Sequence, residues 1–235
     1  MEVIKIRHSD LNAENKVTKS IPFECSLEIA PGLGQVKFDS ITVRGYILAE
    51  AGSGIEVNRQ IVAGGGIKAG EQIEAGWWIE AGKAIEAGKA IVAGKGIVAG
   101  RAIVAGDQIE AGEQIEAGKA IVAGKGIVAG GGIKAGGQIE AGEQIVACEQ
   151  IEAEDGIEAG WGIEAGWWIE SGGGIVSGRG IVSGLQITCK TLSCRLRIFV
   201  GTASWKNITE EDRTLTCEDY TGELAYGIFK KATFY

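Results

Sequence analysis

The chain has 235 residues, including 39 glycines but only 2 prolines, with 45% hydrophobic and 6% aromatic residues and a formal net charge of −8. That much glycine with so little proline excludes collagen and proline-rich linkers, and the acidic balance disfavours non-specific attachment to nucleic acid or an anionic membrane. No charge-free apolar run approaches the roughly 20 residues needed to cross a bilayer. The opening MEVIKIRHSD is charged throughout, unlike a secretory leader. Five cysteines (Cys25, Cys148, Cys189, Cys194 and Cys217) are odd in number and lack metal-type clustering. A cytoplasmic protein with reduced thiols is the expectation.

In chain order, residues 1–54 hold two strand-like runs, FECSLEIA and QVKFDSITVRGYILA, around the turn PGLG, and read as a β-rich N-terminal cap. From Ile55 to Ile187 isoleucine recurs at every sixth position, 23 times without an insertion. Two residues after each Ile stands a small residue, nearly always Ala, then Ser171, Ser177, Ser183 and finally Cys189. Glycine usually follows, with Asn58, Cys148 and Glu154 as exceptions. Ile-x-Ala has the period of a strand, so Ile and Ala share one face. Gly-x-x then reads as a corner, with Gly chosen for its freedom in φ. A helix would drift against a six-residue period and lose about 1 kcal/mol at each glycine. Three hexads close a triangular coil of 18 residues, so residues 55–189 predict a parallel β-helix of between seven and eight coils, an all-β fold. Residues 190–235 hold RLRIFVG and RTLTCEDYTGELAYGIFKKATFY, read as a C-terminal cap, a meander turning at Thr221-Gly222.

The body, Ile55 to about Cys189, resembles the hexapeptide-repeat β-helix proteins. In the left-handed acyltransferases and γ-class carbonic anhydrases of that group the small residue stands two positions before the aliphatic one. Here Lys83, Lys89, Glu113 and Trp167 stand there, and the pattern leaves handedness open. Bactofilins, which are right-handed filament proteins, are similar at the level of pattern. The resemblance implies a histidine base for acyl transfer, or three histidines on zinc for the anhydrase. This chain has the single histidine His8, outside the repeat. No catalytic, cofactor-binding or metal constellation is read in the repeats, and the inward serines read as packing residues.

Function is therefore sought in the variable positions. Between Ala135 and Gly178 there is no Lys or Arg, but there are nine acids: Glu140, Glu143, Glu149, Glu152, Glu154, Asp155, Glu158, Glu164 and Glu170. They form an acidic collar over roughly two coils, as dense in charge as a nucleic-acid duplex. Trp161, Trp167 and Trp168 rim it from turn positions, as Trp77 and Trp78 stand elsewhere, and exposed Trp is enriched in binding hot spots. An 18-residue coil would also align Lys83, Arg101 and Lys119 on one corner. The expectation is a non-enzymatic binding protein docking its collar on a basic protein surface, such as one that normally holds nucleic acid and would be inhibited by mimicry. It would bind neither nucleic acid nor membrane directly. A bactofilin-like self-assembling scaffold and a carbohydrate- or small-ligand-binding lectin are the alternatives, and a homodimer through Val-rich faces is compatible with the docking and scaffold readings.

Overall fold

The computed structural model describes residues 1–234. They form two compact units, Met1–Gly118 and Lys119–Tyr235. Each unit is a parallel β-solenoid in which three short strands make one turn. In the first unit one side stacks Glu2–Ile6, Cys25–Ile29, Ile47–Ala49, Ile67–Ala69, Ile85–Ala87 and Ile103–Ala105. In the second unit the first side stacks Ile121–Ala123, Gln138–Ala141, Gly156–Ala159 and Gly174–Ser177. Its second side stacks Ile127–Ala129, Ile145–Ala147, Ile163–Ala165 and Ile181–Ser183. Its third side stacks Ile133–Ala135, Ile151–Ala153, Ile169–Ser171 and Ile187–Thr188.

The 18-residue register is the expected one: Ile139 pairs with Ile157, and Ile157 with Ile175. Every repeat isoleucine is at most 1% exposed, and the alanines two residues on are buried with them. Each buried Ile removes an aliphatic side chain from water, worth ~1.5–3 kcal/mol, so the hydrophobic stabilisation is spread evenly along the stack.

Two expectations about the flanks need correction. The two units together contain about 11 turns, against the seven to eight expected from the hexads. The surplus comes from the flanks, whose strands add parallel turns. Leu27 pairs with Ile47, Val36 with Ile55 and Ile41 with Ile61. These steps of 19 or 20 residues hide the same stacking from a search for sixes. At the other flank Thr191–Val200 pairs with two sides in succession, Gly174–Ser177 and then Ile181–Ser183. Asp219–Tyr226 lies parallel on it, and Thr214–Cys217 and Ile228–Lys231 extend the third side. Among the described residues no meander forms, and Thr221-Gly222 lies inside a strand. Backbone hydrogen bonds from turn to turn favour parallel continuation, because each new strand finds a preformed ladder in register.

The corner glycines also have a different cause from the one expected. Positive φ occurs in glycines of the flanks, such as Gly32, Gly52 and Gly201, and in none of the repeat corners. The requirement there is room. A Cβ on Gly142 would sit 2.1 Å from the carbonyl oxygen of Gly124, one on Gly160 2.1 Å from that of Gly142, and one on Gly166 2.1 Å from that of Cys148. Glycine follows Ala because consecutive turns touch through their backbones at that point. Two of the exceptions, Cys148 N and Glu154 N, donate over 3.2 Å, just beyond glycines such as Gly142 N at 3.1 Å and Gly160 N at 3.0 Å, while the third, Asn58 N, donates over 3.1 Å.

This steric rule separates two glycines of the same corner, Gly142 directly after strand Gln138–Ala141 and Gly126, one turn earlier, directly before strand Ile127–Ala129. Gly142→Ala should lower stability by about 1–3 kcal/mol through overpacking against a backbone that cannot swing aside. Gly126→Ala meets nothing nearer than 3.5 Å and should be neutral or stabilising by up to about 1 kcal/mol, since it restricts only the unfolded chain. Urea denaturation of the two variants, followed by circular dichroism, measures the difference.

Candidate functional site

All nine acids and the three tryptophans expected to rim them lie in the second unit. They do not share one face. Glu140 and Glu158 are in register on the first side, Glu164 is on the second, and Glu152 and Glu170 are in register on the third. Glu143 stands on the corner between the first and second sides, and Glu149 on that between the second and third. Glu154 and Asp155 form the corner between the third and first sides. The collar is thus a band around the unit, with one concentration. The third–first corner and the two sides it joins carry six of the carboxylates: Glu154 and Asp155 at the edge, Glu152 and Glu170 on the third side, Glu140 and Glu158 on the first.

Local backbone packing leaves this corner bare. In the next turn the corner is Gly172-Gly173-Gly174, where a Cβ on Gly172 would meet the Glu154 carbonyl oxygen at 2.0 Å and one on Gly173 the Asp155 oxygen at 1.7 Å. In the preceding turn Gly136 and Gly137 hold the equivalent positions. No side chain at those glycine positions can fold over Glu154 or Asp155, and both are exposed. A shallow depression of about 340 Å³ beside them is lined by Lys134, Glu152, Glu154 and Glu170. Lys134 Nζ is 2.8 Å from Glu152 Oε2. The other eight carboxylates of the band have no ion-pair partner among the described residues. In-register Glu pairs on parallel strands are mildly destabilising, so the arrangement is kept against a small electrostatic cost.

The tryptophans stand at the other two corners. Trp161 is 44% exposed, and the Arg179 guanidinium lies 4.7 Å from its ring centroid, a cation–π contact within the chain. Trp167 and Trp168 are half-buried and stack at 5.6 Å, and Trp167 meets Trp205 at 6.4 Å. Trp205 is 60% exposed and projects from the excursion 201–213. It escapes sequence reading because the six-residue period has ended by then and nothing local marks its contact with Trp167. The inward serines anchor these corners in addition to packing. Ser177 Oγ lies 2.7 Å from the carbonyl oxygen of Trp161, and Ser183 Oγ 2.9 Å from that of Trp167.

His8 is exposed in a short 3-10 turn, His8–Asp10, of the first unit. Lys83 and Arg101 do occupy the same corner of successive turns there, with Arg101 N donating to the Lys83 carbonyl at 3.1 Å. Among the described residues no helix is long and apolar enough to cross a membrane. Comparison with protein-family models, with curated proteins and with solved structures found no match.

The excursion that carries Trp205 is fastened by Asp212. Its carboxylate accepts from the Thr209 amide at 2.9 Å, the Thr209 hydroxyl at 2.8 Å and the Lys206 ammonium at 2.9 Å. The amide, followed by Lys206, holds the Asp212 pKa down at about 2. Since an unfolded Asp titrates near 3.9, the ionised carboxylate stabilises the excursion fully above about pH 4, and that contribution is lost as the pH falls through about 2. Tryptophan emission should therefore change between about pH 4 and 2 as the Trp167–Trp205 contact loosens. Asp212→Asn should show the altered emission already at pH 7, with a smaller further change on acidification.

Proposed function

We propose that this protein is a non-enzymatic docking protein whose third–first corner in the second unit engages a basic protein surface. The observation that carries this reading is the placement of six carboxylates on one corner and the two sides it joins, with glycine turns before and after that corner. Carboxylates carried on a rigid ladder need no backbone ordering when a partner binds, so the entropy lost in the complex is confined to their side-chain rotamers. Fixed negative charge at this density also steers a basic surface from a distance. A surface that normally holds nucleic acid fits best, because its spaced Lys and Arg groups already match a stiff polyanion, and binding would then inhibit it by occupying its site. In this reading the protein works in the cytoplasm, where its five free cysteines stay reduced.

The test pairs two variants with defined changes in charge. Proteins captured on the immobilised chain at low salt would be challenged with duplex DNA and with rising salt. Capture through the corner predicts displacement by duplex, a loss of about tenfold or more between 50 and 300 mM salt, and loss in Glu154→Lys/Asp155→Lys. Glu164→Lys/Glu143→Lys changes net charge equally but lies off the corner, and should retain capture. Equal retention by both variants would sink the reading.

A further inference from the structure

A second site is built where the repeat has broken down, from residues outside the acidic band. Strand Thr191–Val200 runs around the first–second corner of the second unit, and Asp219–Tyr226 follows it in parallel. The two strands do not follow the corner equally. Ser193 pairs with Thr221 and Arg197 with Glu223, so Cys194, Arg195 and Leu196 of one strand stand against Gly222 alone of the other. The later strand cuts inside the corner. Gly222 makes that shortcut practicable: its φ is +111°, and a Cβ there would lie 2.6 Å from Cys194 Sγ and 2.9 Å from the Cys194 carbonyl oxygen.

The consequence is a projecting ledge with a notch of about 670 Å³ beside it. Val182, Leu196 and Phe199 supply apolar walls, and Arg195, Arg197 and Glu223 supply charge. Leu196, which a full turn above would have covered, is 59% exposed. Arg197 Nε is held by Glu223 Oε2 at 3.0 Å, whereas Arg195 has no ion pair among the described residues. Arg179 occupies the same corner one turn earlier, its carbonyl accepting from Leu196 N at 2.7 Å. Three guanidiniums thus gather at one corner of a chain whose net charge is −8. The notch itself holds two cations and one carboxylate, leaving one positive charge beside an apolar wall.

We propose that this notch binds a small organic carboxylate with a flat or branched apolar body. The body would lie against Val182, Leu196 and Phe199, and its carboxylate would take the planar donor fork of Arg195, a geometry that favours carboxylates. Glu223 keeps Arg197 in place and repels a second anionic group, so a monoanion is preferred to a dianion.

Titration calorimetry of the full chain with naphthalene-2-carboxylate tests this, with naphthalene-2-carboxamide as the neutral match and naphthalene-2,6-dicarboxylate as the dianion. Binding of the monocarboxylate is expected at roughly tens to hundreds of micromolar, in keeping with a ligand of this size. The amide and the dianion should each bind at least about fivefold more weakly. Arg195→Ala should weaken the monocarboxylate about tenfold, and Val182→Trp, an outward substitution that fills the notch, should abolish binding while circular dichroism stays unchanged. No heat at millimolar ligand, equal binding of acid and amide, or unchanged affinity in Arg195→Ala would each overturn the proposal.

Discussion

Backbone contact between consecutive turns governs this molecule more than any side chain does. Strands stacked in parallel sit about 4.8 Å apart, and at the end of each the amide after Ala donates to the turn before, as Gly160 N does to Ala141 O at 3.0 Å. That approach leaves about 2 Å between the neighbouring carbonyl and the place a Cβ would occupy. Glycine, alanine and isoleucine then follow as three answers to one geometry. The contact point admits no side chain, the narrow interior beside the corner admits a methyl, and the middle of each side needs a branched chain to fill it. The evenness of the sequence reflects a constraint that returns unchanged at each turn.

The interior was legible because its constraint is periodic. Ile139, Ile157 and Ile175 are in register where the count of sixes placed them. The flanks were not, because a parallel ladder tolerates unequal loops between its strands. Leu27 and Ile47 stack as well as any repeat pair, yet no fixed spacing announces it. The excursion 201–213 likewise interrupts the third side between Thr188 and Thr216, which still pair. The glycine pattern was read correctly as a corner and explained by the wrong cause, since sequence cannot tell a residue that needs unusual φ from one that needs empty space. The acids were visible one by one. Which of them share a corner depends on three-sided geometry, and the tryptophans interleaved with them in sequence fall on the other two corners.

Charge in the second unit is sorted along the stack. The band of acids ends with Glu170, and Arg179, Lys190, Arg195 and Arg197 follow with no acid among them. Ion pairs between exposed groups contribute only ~0–1 kcal/mol each, so folding gains little from either charge distribution. Mixing the signs would have served solubility better. Two surfaces of opposite character on one rigid body instead suit two ligands of opposite character, and the rigidity of the ladder lets both be presented without reorganisation.

The two sites relate to the repeat in opposite ways, and that bears on what each means. The notch arises where regularity has already failed, and its glycine, Gly222, has an unusual φ found nowhere in the repeat corners. The acidic corner lies within the regular part and departs from it. Glu154 occupies the position that the backbone contact reserves for glycine, at the expense of a longer turn-to-turn bond, 3.2 Å to Ala135 O, and it brings a carboxylate to a place already crowded with them. Packing would have been better served by glycine, and electrostatics by a neutral residue. Cys148 makes the same steric departure on another corner, and nothing in the structure explains it. At Glu154 the two local costs coincide with the densest charge on the unit, and a departure that no local interaction rewards is what the proposed docking role would account for.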